Sequence, residues 1–90
     1  MNSTPRLNNI PFPCDYKIKV MGRATDTFEQ VALEIVHQHF PSLKEDSIQQ
    51  RLSKDHNFIS LTVHVWAENL EQLENLYHDF AKSPEILASL

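Results

Sequence analysis

The stretch Cys14-Asp15-Tyr16-Lys17-Ile18-Lys19-Val20-Met21-Gly22 decides the fold. Apolar and polar residues alternate through it, and the only glycine of the chain closes it. Side chains of a strand point to opposite faces at period two. Cys14, Tyr16, Ile18 and Val20 therefore share one face, while Asp15, Lys17 and Lys19 share the other. Such a strand belongs to a sheet covered on one side only. Gly22 allows backbone angles that a side chain would resist, so the strand is expected over 14–21. Arg23-Ala24-Thr25 then reads as a short loop.

Beyond that loop the period changes. Asp26 has the chemistry of a helix N-cap, with Glu29 three residues on as in a capping box. Phe28, Val31, Ala32, Ile35, Val36 and His39 recur at helical spacing and form one apolar stripe, and Pro41 ends the helix. Residues 42–46, polar apart from Leu43, read as a linker. Alternation returns in 47–53, with Ile48 and Leu52 on one face and Gln49 and Arg51 on the other. After the turn Lys54–Asn57, residues 58–67 alternate again. Ile59, Leu61, Val63 and Val65 form the apolar set, opposed by Ser60, Thr62, His64 and Trp66. Two strands joined by about four residues make an antiparallel hairpin. Asn69 and Gln72 form a second capping-box pair ahead of the stripe Leu70, Leu73, Leu76, Tyr77 and Phe80. Ser83-Pro84 ends that helix, and residues 86–90 read as a short edge strand.

The order is β-α-β-β-α-β. Its expected solution is α+β: a ferredoxin-like two-layer sandwich, with a four-stranded antiparallel sheet and both helices on one face. Residues 1–13, polar and carrying Pro5, Pro11 and Pro13, read as a flexible leader in which Ile10 and Phe12 tuck against the fold; residues 14–90 form one domain. The bare sheet face is expected to carry Lys17, Lys19, Gln49, Arg51, Ser60, Thr62, His64 and Trp66. Glu29, Glu34, Glu71, Glu74 and Asp79 fall in the helices. Charge is thus segregated between the two layers.

Ninety residues of net charge −4, with 41% hydrophobic and 22% charged residues, describe a small globular chain. The negative balance argues against bulk nucleic-acid binding, which needs clustered cations. A single cysteine forms no internal disulfide and fits a reducing compartment. No apolar run has the length of a membrane span, and the first residues lack the apolar core of a secretory signal, so a cytoplasmic protein is expected.

The candidates for chemistry are few. His37 and His39, two residues apart on a helix, diverge too far to share an ion, and no Cys or carboxylate cluster has zinc spacing; no metal and no cofactor is expected. Cys14 is either a small core-edge hydrophobe or a reactive thiol. Lys17, Lys19, Arg51, His64 and Trp66 form either an interaction surface or a solvated face. Gly22-Arg23, at the mouth of a helix, reads as a structural turn or as a site for a small carboxylate held by the guanidinium fork.

The run Phe12-Pro13-Cys-Asp-Tyr16-Lys-Ile-Lys19-Val20-Met21-Gly22 resembles the opening signature of the YbeD-like family of small bacterial proteins. In that family a Phe-Pro pair precedes a strand closing on Lys-Val-Met-Gly. The resemblance extends over residues 11–90 in length and element order. It implies a ferredoxin-like fold similar to ACT domains, modules that bind amino acids and regulate metabolic enzymes, and a link to lipoate metabolism. It carries no catalytic residues. In ACT domains the ligand lies by the loop after the first strand, which here corresponds to Met21, Gly22 and Arg23.

The expected function is a non-enzymatic regulatory or interaction module. Its expected partners are a metabolic enzyme, a small carboxylate or a second copy in a homodimer. Two alternatives stand beside it: an RNA-binding sheet module using Trp66, with stacked bases as its chemistry, and a small thiol enzyme using Cys14.

Overall fold

A computed structural model describes residues 10–90. The chain runs β1 (Cys14–Arg23), α1 (Asp26–His39), a 3-10 turn (Glu45–Ser47), β2 (Ile48–Leu52), β3 (Phe58–Ala67), α2 (Leu70–Lys82) and β4 (Ala88–Ser89). The four strands form one sheet in the order β2-β3-β1-β4, with every pairing antiparallel. This is the ferredoxin-like arrangement expected from the element order. The reading of residues 1–9 as part of a flexible leader lies outside the described residues. Ile10 and Phe12 pack against the core, as anticipated.

The sheet is built on a ten-residue register between β1 and β3, from Cys14 opposite Ala67 to Arg23 opposite Phe58. Its inner face supplies Ile18, Val20, Ile59, Leu61, Val63, Val65 and Ala67. Phe28, Ala32, Val36 and Phe40 from the first helical segment complete the core, with Leu73, Leu76, Tyr77 and Phe80 from α2. All fifteen form one cluster, so both helices lie on the same side of the sheet. Burial of these apolar surfaces is the main stabilising term.

Local details differ from the sequence reading at four places. The N-cap of α1 is Thr25, not Asp26: the Thr25 hydroxyl accepts from the Phe28 N–H at 3.1 Å. Both residue types cap well, and the strand simply runs two residues further than expected. At α2 the expected cap holds, with Asn69 accepting from the Gln72 N–H at 2.9 Å. The Gln72 side chain accepts from the Glu68 N–H and donates to the His39 carbonyl, which ties the start of α2 to the end of α1.

Gly22 is the second difference. It lies inside β1 and has no positive φ, so unusual backbone angles are not its role. A Cβ there would collide with the Phe28 ring, reaching Cε1 at 2.6 Å and the Glu85 carbonyl at 2.7 Å. Close approach, not turn geometry, requires glycine.

The third is Leu52. It occupies a core-side position at the end of the edge strand β2, opposite the buried Ile59, but remains 45% exposed. Finally, β4 is only two residues long. Its edge is extended by reciprocal hydrogen bonds between Lys19 and Leu90 (3.1 and 2.7 Å), and the Tyr77 hydroxyl donates to the Leu90 carbonyl at 2.7 Å.

Candidate functional site

The uncovered face of the sheet follows from register. Directly opposed residues of an antiparallel pair project to the same side. Asp15 opposes Trp66, Lys17 opposes His64, Lys19 opposes Thr62, Met21 opposes Ser60 and Arg23 opposes Phe58. From β2, Gln49 opposes Thr62 and Arg51 opposes Ser60. Lys17, Lys19, Arg51, His64 and Trp66 are therefore on one surface, all of them exposed.

That surface has a definite layout. Ser60 and Thr62, small and half-buried, occupy the middle of the central strand β3. Arg51 and Gln49 stand on one flank, Met21 and Lys19 on the other. Aromatics mark the two ends: Phe58 is 42% exposed and Trp66 is 53% exposed. Arg23 lies over the Phe58 ring at 5.8 Å, a cation–π contact that holds its guanidinium at the rim.

The charge on this face is one-sided. Lys17, Lys19, Arg23 and Arg51 are half of the chain's eight Lys and Arg residues, and Asp15 is one of its twelve Asp and Glu residues. The opposite layer is acidic, with Glu29 and Glu34 on α1 and Glu71, Glu74 and Asp79 on α2.

Trp66 also borders a groove of about 450 Å³, lined by Phe40, Pro41, Leu43, Lys44 and His64 among others. It exists because β2 falls short. The β2–β3 pairing ends at Ile48 opposite Val63, whereas β3 continues to Ala67. The indole thus sits at the corner where the bare face meets the β2 side of β3, along which no strand of the described residues pairs beyond Val63.

Met21, Gly22 and Arg23 do not converge. They are consecutive strand residues and alternate in direction. Met21 and Arg23 are exposed on the bare face, while Gly22 is buried beneath Phe28. The loop expected to begin at Arg23 is reduced to Ala24 and Thr25. Arg23 therefore belongs with the surface cations. The missed signal is parity: had the alternation been carried through Gly22, Met21 and Arg23 would have joined Lys17 and Lys19.

The remaining candidates lie apart from one another. Cys14 is a free, half-buried thiol opposite the buried Ala67. Among the described residues, no group of three or more His, Cys, Asp or Glu is placed to hold a metal ion. His39 hydrogen-bonds Asp79 at 2.7 Å across the two helices, and Lys82 approaches the other Asp79 oxygen at 3.7 Å. The hydrogen bond from His39 is the main reason the Asp79 carboxyl titrates below its ordinary value. No helix of the described residues is long and apolar enough to cross a membrane.

A family model described as "Protein of unknown function (DUF493)" matches residues 8–90. A UPF0250 protein of Janthinobacterium sp. (strain Marseille) is 42% identical over 82 residues, covering 91% of this chain and 90% of the relative. The chain belongs to the DUF493/UPF0250 family. The resemblance to YbeD-like proteins is thereby shown. A UPF0250 protein of Neisseria gonorrhoeae (strain ATCC 700825 / FA 1090) is 44% identical over 68 residues, covering 76% of this chain and 75% of the relative. A UPF0250 protein of Bordetella pertussis is 36% identical over 85 residues, covering 94% of this chain and 93% of the relative. Among solved structures, the solution structure of protein HP0495 from H. pylori matches with a TM-score of 0.68 at 17% identity. The match covers all of this chain and 94% of that one. That likeness concerns the fold. The UPF0250 family has no established function.

Proposed function

We propose that this UPF0250 protein is a non-enzymatic regulatory module that binds a partner protein through the bare face of its sheet. One observation carries the reading. Among the described residues no element covers one face of the sheet, and Met21, Phe58 and Trp66 are exposed on it together with four cations. Large exposed apolar groups grouped on one face mark interaction surfaces, and indoles often anchor them.

The ferredoxin-like fold and its resemblance to ACT domains support a regulatory role on a metabolic enzyme, and the YbeD-like relationship favours an enzyme of lipoate metabolism in the cytoplasm. Fold analogy is an associational warrant, so the weight rests on the face itself. Gly22 has no open space beside it, which turns the reading away from a small amino acid held at the end of β1 and toward a macromolecular partner.

The test compares two surface variants of the full chain as baits in cells. Lys17→Glu with Trp66→Ser alters the bare face, and Glu71→Lys with Glu74→Lys alters the helical layer. The sheet variant is expected to lose the specific partner, while the helix variant retains it at wild-type yield. Loss only with the helix variant would overturn the reading. Titration with lipoate and octanoate, read by calorimetry, reports separately on a small carboxylate.

A further inference from the structure

We propose that the occupant of the bare face is an acidic amphipathic helix of another protein, lying along β3. The inference rests on the docking reading above and adds the chemistry and shape of the partner. Four cationic side chains face one carboxylate here, in a chain whose total is −4. Such local excess attracts a surface of opposite sign and speeds its encounter.

Shape points to a helix. Ser60 and Thr62, small and half-buried, form the middle of β3, and with Lys19, Gln49, Gln50 and Arg51 they line an open depression of about 530 Å³. The flanking strands β1 and β2 are each roughly 4.8 Å from β3, so their side-chain rows stand about 10 Å apart, centre to centre. A helix about 10–12 Å across with its side chains, resting on the face above β3, reaches both rows at once. Eight residues separate Phe58 from Trp66, roughly 26 Å of strand. A helix of about 17 residues spans that distance. Its carboxylates would meet Arg51 on one side and Lys17 and Lys19 on the other, with apolar residues against Phe58, Met21 and Trp66.

Other occupants fit less well. Two copies placed face to face would oppose four cations to four cations. A copy seated by its acidic helices on this face makes a head-to-tail contact, and such a contact gives rings or open chains rather than a two-fold dimer. Single-stranded RNA needs aromatics where bases stack, but the centre of this face holds Ser60 and Thr62.

The experiment places the photo-crosslinker p-benzoylphenylalanine at Thr62 in the full chain, irradiates living cells and identifies the adducts by mass spectrometry. A matched chain carries the crosslinker at Glu71 on the helical layer. The expected adduct is a helical segment of another protein, rich in Asp and Glu. Its yield is expected to fall about tenfold when Lys19→Glu and Arg51→Glu are combined. Circular dichroism and melting of each variant show that it remains folded. A neutral or basic partner segment would overturn the acidic-helix inference while leaving sheet-face docking intact. Adducts to RNA or to this chain itself would also overturn it. No adduct at Thr62 above the Glu71 control would overturn both readings.

Discussion

The Phe28 ring lies directly over Gly22, filling the space in which any side chain at 22 would begin. Phe28 is fully buried, and the Glu85 carbonyl closes the other side at 2.7 Å from that position. The end of β1, the first turn of α1 and the approach to β4 are thus locked together at the one residue that lacks a Cβ. Gly22→Ala is expected to destabilise the protein by about 1–3 kcal/mol or more, the range for overpacked cores. Chemical denaturation measures this. An unchanged midpoint would mean that Phe28 moves freely, contrary to its place in the core.

The shift of the α1 cap by one residue separates two neighbouring substitutions. Thr25→Ala removes the acceptor for the Phe28 N–H and is expected to cost about 1 kcal/mol. Asp26→Ala removes only a favourable charge near the helix N-terminus, worth about 0.3–1 kcal/mol at an exposed site. Urea unfolding of the two variants at low and high salt distinguishes them, because only the Asp26 effect is screened.

Tyr77 predicts an alkaline limit. Burial pushes its phenol well above the ordinary tyrosine range, and neighbouring Tyr16 adds to the shift. The native state therefore keeps the proton that the unfolded chain gives up above about pH 10. Stability is fully present below that value and declines as pH rises beyond it. Melting temperatures between about pH 8 and 11.5 are expected to fall more steeply for the wild type than for Tyr77→Phe. At neutral pH the variant is expected to melt below the wild type, since it loses the hydrogen bond to the Leu90 carbonyl.

Asp79 makes the acidic counterpart. Its carboxyl is held below the ordinary value chiefly by the hydrogen bond from His39. A depressed carboxylate contributes stability above its unfolded value, and that contribution is lost as pH falls through the folded one. Asp79→Asn is thus expected to melt below the wild type at about pH 6–7, with the gap narrowing as pH falls below about 4, the ordinary Asp value. A gap that persists in acid would show that the charged form of Asp79 is not what joins the helices.

What the sequence revealed was periodicity. The alternation of 14–20 and 58–67 located the inner face of the sheet residue by residue, because period two admits no other assignment once one face is apolar. The stripes through Phe28 and Leu73 likewise placed both helices over it. Relationships between distant residues were not legible. Nothing near Gly22 announces Phe28 above it or Glu85 beside it, and His39 meets Asp79 only because α1 and α2 pack side by side. Of the candidate surface, Lys17, Lys19, Arg51, His64 and Trp66 were assigned by alternation and share one face. Reading Gly22 as the end of the strand puts Arg23 in a loop, whereas tertiary packing makes that glycine part of β1 and carries the alternation on to Arg23. The groove beside Trp66 depends on how far β2 extends, which local pattern does not fix.

Hydroxyl-radical footprinting of the full chain, free and bound to the partner recovered with it, tests sheet-face docking most directly. Met21, Phe58 and Trp66 are oxidisable and exposed on the bare face, while His37 and His78 are exposed on α1 and α2. Labelling of Met21, Phe58 and Trp66 is expected to drop on complex formation, with His37 and His78 labelled as before. Protection of the helix histidines, with Trp66 still oxidised at its free rate, would contradict the account.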